Sequence, residues 1–238
     1  MLKITKNLDS ILNYKDGFFL EVGANDGVSQ SNTINLERNL NWKGILIEPD
    51  FNQYLKCLKN RPNSIVVNAA LVSEEFSKKN DKILFPKKGN LMSKTYEENI
   101  FNLLKLFLKK LIYVNCINLS SLLSNLNITK IDLLSLDIEG NELEVLKSIN
   151  FNDVNIEYIC IEVWDKDKEK IFDFFKKKNY LLKKNLSEFN KNDYPNWSGN
   201  HNDYLFKKNT WFFKKLNPTL HISSNIVENL IRRYVDGR

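Results

Sequence analysis

Short apolar runs alternate with amphipathic stretches along most of this chain, and polar residues gather at or near the ends of the runs. Such alternation marks βαβ units on a parallel sheet, whose strands are buried on both faces and read as unbroken apolar runs. Residues 18–22 form the first run and lead into Gly23-Ala24-Asn25-Asp26-Gly27. Residues 44–48 form the second, stopped by Pro49, and 64–68, 131–137 and 158–163 follow. The intervening pattern predicts helices over about 31–40, 51–59, 141–148 and 166–178. Residues 180–186 and 203–208 supply two closing strands, read as an antiparallel hairpin. The expected class is therefore α/β, a mostly parallel seven-stranded sheet with one antiparallel strand and added helices. No repeat or long linker divides the 238 residues, so one domain is expected, its core near 17–208.

Two stretches look added to that core. Ile100, Leu104, Phe107, Leu108 and Leu111 recur at helical spacing, with Lys105, Lys109 and Lys110 opposite, predicting an inserted amphipathic helix near 97–112. Asn225 and Glu228 form a capping box for a second helix, near 225–236, with Ile226, Leu230 and Tyr234 on its apolar face. Each face can pack on the core or join two copies in a homodimer, and the inserted helix can alternatively serve as a lid or lie on a membrane surface.

Composition removes several classes. No window reaches the roughly 18 apolar residues of a membrane-spanning helix. Lys3, Lys6 and Asp9 break the apolar stretch a secretory signal needs, so a cytoplasmic location is expected. Basic residues exceed acidic ones by 35 to 29, but Arg occurs only at 38, 61, 232, 233 and 238. Nucleic-acid readers favour Arg, so the excess reads as a solvated Lys surface, which disfavours nucleic acid as a partner without excluding it. Cys57, Cys116 and Cys160 are widely spaced and only His201 and His221 accompany them, so no zinc constellation assembles.

In an open parallel sheet ligands bind beyond the carboxyl ends of the strands. Here those ends carry Glu21 with the loop Gly23, Ala24, Asn25 and Gly27, then Glu48 with Pro49, then Asn68, then Asp137. A dinucleotide loop wants G-x-G-x-x-G, so that backbone amides reach a pyrophosphate. Asn25 stands where the middle glycine would fall. The acidic E-x-G-x-x-x-G spacing instead suits S-adenosylmethionine, which carries an ammonium and no phosphate. Glu48, 21 residues past Gly27, is placed to accept both ribose hydroxyls.

The chain resembles the FkbM family of S-adenosylmethionine-dependent methyltransferases. The resemblance rests on residues 19–27, on Ser31-Asn32-Thr33, on residues 42–49 and on the block 131–146, which contains Asp137-Ile138-Glu139-Gly140-Asn141-Glu142. Weaker echoes are Ile161-Glu162 and residues 202–206. Many members carry Lys where this chain has Ser135, so no role of that Lys transfers. The resemblance implies a class I methyltransferase, Rossmann-like sandwich and O-methylation, commonly of a sugar hydroxyl in a glycan or glycosylated metabolite. It also implies that Ser31 belongs to the cofactor site.

Methyl transfer is an in-line displacement at an already activated sulfonium, so the protein aligns the partners and removes a proton. Asp137, Glu139 and Glu162 should crowd the fourth and fifth strand ends, as a base or as ligands of a divalent metal ion. His201, expected in a loop, is the other candidate base. Trp164, Tyr194 and Trp197 offer flat faces for a sugar. The competing readings are an RNA 2′-O-methyltransferase, a dinucleotide oxidoreductase and a non-catalytic subunit of this fold.

Overall fold

A computed structural model of the chain describes residues 2–86, 111–188, 192 and 200–209. Its centre is a seven-stranded sheet. Helix α1 (Leu2–Ile11) precedes β1 (Phe18–Val22), and α2 (Ile34–Leu40), β2 (Lys43–Ile47), α3 (Phe51–Asn60) and β3 (Ile65–Val67) follow. After an inserted region come α5 (Leu119–Asn125), β7 (Lys130–Leu136), α6 (Glu142–Lys147), β8 (Asn155–Trp164), a 3₁₀ turn (Asp165–Asp167), α7 (Lys168–Lys177), β9 (Tyr180–Asn185) and β10 (His201–Lys208). Spatial order is β3-β2-β1-β7-β8-β10-β9. β1, β2, β3, β7 and β8 pair in parallel, and β10 runs antiparallel to both β8 and β9. The expected mostly parallel sheet with one reversed strand is what forms.

The inserted region builds a second sheet that the apolar pattern did not announce. β4 (Ala70–Leu71), α4 (Glu74–Ser77), β5 (Lys82–Pro86) and β6 (Leu111–Ile117) give a three-stranded order β4-β6-β5. Its strands are short, and β5 is separated in sequence from its partner β6, so no periodicity within one window could reveal it. Leu111 and Ile112 pair with Pro86 and Phe85 in this hairpin, so the helix predicted to reach 112 does not include them. Residues 97–110 of that prediction, the predicted helix at 225–236, and Tyr194 and Trp197 lie outside the described residues.

Two apolar layers sandwich the main sheet. Leu20, Val22, Ile45, Ile47, Leu134, Leu136, Ile159 and Ile161 face α5, α6 and α7 through Leu122, Leu146, Ile171 and Phe175. Phe19, Leu46, Leu133 and Cys160 face the other way, against Leu8 of α1, Leu12 just beyond it, Leu36 of α2 and Cys57 of α3. The layers alternate residue by residue because successive strand side chains point to opposite faces. Local signals set the helix ends: Asp50 caps α3 by accepting the amides of Asn52 and Gln53, and Asn41 closes α2 in the left-handed region. Trp42 is fully buried, its indole donating to the Tyr14 carbonyl at 2.7 Å.

Gly44 of β2 sits directly under the Phe19 ring. A Cβ there would overlap the ring and lie 2.5 Å from the Phe19 carbonyl oxygen. Gly44→Ala should therefore destabilise the protein by about 3 kcal/mol, near the upper end of overpacking costs, read as a lowered urea midpoint.

Candidate active site

β1 leaves the sheet through a loop that only glycine permits at its first step. Gly23 has φ +82°, and a Cβ on it would collide with the Asp137 carbonyl oxygen at the end of β7. Gly23 and Ala24 donate to the Ile47 carbonyl at 3.0 and 3.1 Å, so the loop is stitched to β2 on its other side. Asn25, also left-handed at φ 51°, donates its amide to Glu48 Oε2 at 2.8 Å. The Asp50 amide donates to Glu48 Oε1 at 2.8 Å, and the Asn68 side-chain amide holds the Glu48 and Pro49 carbonyls. The chain after β2 is thus fixed from three directions.

Between these ends lies a cleft. Its walls come from Gly23, Asn25 and Gln30 after β1, from Glu48, Pro49 and Asp50 after β2, and from Asp137, Ile138, Glu139 and Asn141 after β7. Residues 69–71 and Phe85 of the small sheet close one side. The lining carries four carboxylates, Glu48, Asp50, Asp137 and Glu139, and no Lys or Arg among the described residues. A pyrophosphate would be repelled here, whereas a ligand bearing a sulfonium, an ammonium and ribose hydroxyls meets acceptors and negative charge. The residues present fit S-adenosylmethionine and disfavour a dinucleotide.

Of the residues expected to bind the cofactor, Gly23, Asn25, Glu48, Pro49 and Asp137 line the cleft. Glu21, Ala24, Gly27, Ser31 and Asn68 do not. Glu21 is buried, accepting Ser31 Oγ at 2.8 Å, Thr33 Oγ1 at 2.6 Å and the Asn32 amide at 2.6 Å. Its carboxylate holds the loop before α2. Ala24 is packed in the core, and a Cβ on Gly27 would meet Arg61 Cγ at 2.7 Å and Cys57 Sγ at 2.9 Å. Gln30, Gln53 and Asn141 line the cleft without having been anticipated, because amides scattered through loops carry no spacing signal.

A second cluster adjoins the cleft. Asp137, Glu139 and Glu162 each place a carboxylate oxygen within 4.8 Å of the other two. Glu139 is held at φ 60°, a left-handed backbone that non-glycine residues seldom adopt, next to Gly140. Glu142 shapes this turn by accepting the Ile138 and Gly140 amides at 3.0 and 2.9 Å. Asp203, absent from the expected set, lies on β10 directly opposite Glu162 and is buried. The echo at residues 202–206 was the one signal that could have found it.

Burial raises the proton affinity of this group. Desolvation, then Glu162, Asp203 and Glu139, push Asp137 well above the usual carboxylate range. Burial and the neighbouring acids push Glu162 up to about 8, and burial lifts Asp203 to about 6 and Glu48 to about 7. Glu162 accepts the Trp164 indole N–H at 2.8 Å, and its other oxygen is 3.7 Å from His201 Nε2. His201 is the first residue of β10 and not a loop residue, its ring 5.2 Å from that of Trp164 and tilted against it. Burial lowers its pKa, which works against an ion pair with Glu162.

This sheet order, with its reversed strand, is the class I methyltransferase fold. Residues 21–182 match the family model described as the methyltransferase FkbM domain, and the chain belongs to that family. Among solved structures, the METTL16 MTase domain is similar at TM-score 0.50 and 10% identity, over 87% of this chain and 66% of that one. The precorrin-6y C5,15-methyltransferase of Geobacter metallireducens matches at 0.47 and 12%, over 86% and 87%. M. capricolum TrmK in complex with S-adenosyl-homocysteine matches at 0.46 and 12%, over 97% and 81%. No curated protein matches the sequence.

The raised Glu162 carboxyl has a consequence for stability. A carboxyl whose proton affinity rises on folding contributes stability below its unfolded pKa, near 4.5, and loses it as pH climbs through the folded value near 8. Glu162→Gln cannot ionise and escapes that loss. Relative to wild type it should gain at least about 1 kcal/mol between pH 6 and pH 9, measured by denaturant midpoints at both pH values.

Proposed function

We propose that this methyltransferase transfers a methyl group to a hydroxyl of a sugar, in a glycan or a glycosylated metabolite. The observation that carries this reading is the convergence of Asp137, Glu139 and Glu162 beside the cleft, with His201 against Glu162. A hydroxyl must lose its proton as it is methylated, and this cluster holds groups whose proton affinity burial has raised toward neutrality. The Trp164 ring at the cluster's rim offers a flat apolar surface of the kind that packs on a sugar. The acidic walls argue against a polyanion such as RNA as acceptor.

S-adenosylmethionine, when bound, supplies an electrophilic methyl on a sulfonium. The chain's residues supply the rest. Glu48 keeps a lone pair on each oxygen beyond its bonds to Asn25 and Asp50, and these accept the ribose hydroxyls. Asp137 and Glu139, on the cleft wall, balance the positive charge. Asp137, Glu162 or His201 accepts the proton of the acceptor hydroxyl. A divalent ion, if one takes part, would have the oxygens of Asp137, Glu139 and Glu162 as ligands and would orient the acceptor.

Incubation with S-adenosylmethionine and a panel of free sugars, lipid-linked glycans and capped RNA tests the acceptor class. A methylated sugar detected by mass spectrometry supports the reading, and methylation of RNA alone overturns it. Glu48→Ala should weaken cofactor binding by about 1.5–3 kcal/mol, the loss of charged hydrogen bonds, in a calorimetric titration. Asp137→Asn should lower turnover at saturating cofactor by about a hundredfold or more while changing cofactor affinity much less. Full turnover in EDTA would remove the ion from the mechanism.

A further inference from the structure

Arg61 has no part in the motifs above, yet it is fully buried, immediately behind the loop that forms one wall of the cleft. It arrives there as the residue that closes α3, its amide donating to the Cys57 carbonyl at 2.8 Å. Its guanidinium donates to oxygens in the middle and at the α2 end of the loop between β1 and α2. Nη1 reaches the Gly27 carbonyl at 2.9 Å and Ser31 Oγ at 3.1 Å, and Nη2 reaches Thr33 Oγ1 at 3.0 Å. Nε donates to Glu37 of α2 at 2.8 Å, and Glu21 Oε2 lies 3.7 Å from Nη1. The preceding residue adds one more tie, Asn60 Nδ2 to the Asp26 carbonyl at 2.8 Å.

The loop needs such a partner. Residues 23–33 contain no helix or strand, so their backbone groups lack a ladder to fix them. Two of them, Asn25 and Gln30, line the cleft in left-handed conformations that cost free energy unless the surroundings enforce them. A planar fork bonded at several points defines a loop's shape in a way a single ammonium cannot. Its charge, which alone would be costly to bury, is balanced by Glu37 and Glu21.

We propose that Arg61 is a positioning residue for cofactor binding, clamping residues 27–33 to β1 and α2 so that Asn25 and Gln30 stand ready on the cleft wall. This rests on the reading of the cleft as the S-adenosylmethionine site. It assigns Gly27 a new reason as well, since the stem of Arg61 occupies the space a side chain there would need.

Titration calorimetry with S-adenosylhomocysteine separates positioning from mere support of the fold. Arg61→Lys keeps the charge and loses the fork, and its Kd should rise about tenfold or more with stoichiometry still near one. Amide hydrogen exchange across residues 24–33 should quicken in the same variant. If Arg61 only supported the fold, Kd would stay at the wild-type value while the binding-competent fraction fell, and that result overturns the proposal. Thr33→Val removes one acceptor of the fork together with the hydroxyl's bond to Glu21, leaves the ion pairs, and decides the matter if Arg61→Lys does not fold. It should raise Kd severalfold and Thr33→Ser should restore it; an unchanged Kd in folded Thr33→Val also overturns the proposal. Wild-type protein that fails to bind S-adenosylhomocysteine would overturn the cofactor reading, and the clamp with it, whereas wild-type binding with unchanged variants overturns the clamp alone.

Discussion

Strand side chains alternate between the two faces of a sheet, and in this protein that alternation decides where the acidic groups of the site go. Phe19, Leu46, Leu133, Cys160 and Leu205 pack into one layer. Two residues further toward the carboxyl ends from Phe19, Leu46 and Cys160 stand Glu21, Glu48 and Glu162; Asp137 stands four beyond Leu133, and Asp203 two before Leu205 on the reversed strand. All five therefore project to the same side. Glu48 and Asp137 lie just past their strands, but their amides still donate to the Val67 and Val22 carbonyls, so the ladder fixes them too. A one-residue slip in any of these strands would send its acid to the opposite layer, among Leu20, Leu134 and Ile161.

Gathering carboxylates this way is costly, and the protein offsets the cost differently at each. Glu21 is surrounded by donors, with Ser31, Asn32, Thr33 and the nearby Arg61. Glu48 receives two backbone amides, yet burial still lifts it to about 7. Asp137 and Glu162 have less help and face other acids, so they bind protons more tightly than any exposed carboxylate would. Only where the counter-charge is missing from the protein does the site favour a cation from outside. That gradient runs from compensated Glu21, which supports the loop, to uncompensated Asp137 on the cleft wall.

The strands that carry the site were legible because parallel strands buried on both faces spell themselves as apolar runs, and their last residues could be counted. Spacing along the chain could not reveal side-chain direction or burial. Glu21 satisfies the motif in sequence but turns to Ser31 and Thr33, while Gln30 and Asn141 line the cleft from positions with no periodicity. His201 read as a loop residue because its strand begins in a polar stretch, and only pairing with β8 makes it regular. The first residues of the chain speak in the sequence only through the charges that break an apolar leader; Leu8 of α1 and Leu12 just beyond it matter because they cover the layer beneath Phe19. The small sheet was hidden because its pairing partners are distant in sequence.

The two glycines of the first loop show how one motif can hold unlike causes. Gly23 is required by β7: without a Cβ, the exit of β1 can pass against the Asp137 carbonyl, which brings the two strand ends close enough to share a ligand. Gly27 is required by α3, whose Arg61 and Cys57 fill the space beside it. Neither requirement involves a ligand directly. Each is a contact between the loop and a different neighbour, one in the sheet and one in the covering layer. The loop is therefore located by its two flanks, and the residues between them, Ala24 inward and Asn25 outward, are left to divide the remaining work. A spacing usually read as a mark of the cofactor is, in this fold, a record of what the loop must pack against before a cofactor can enter.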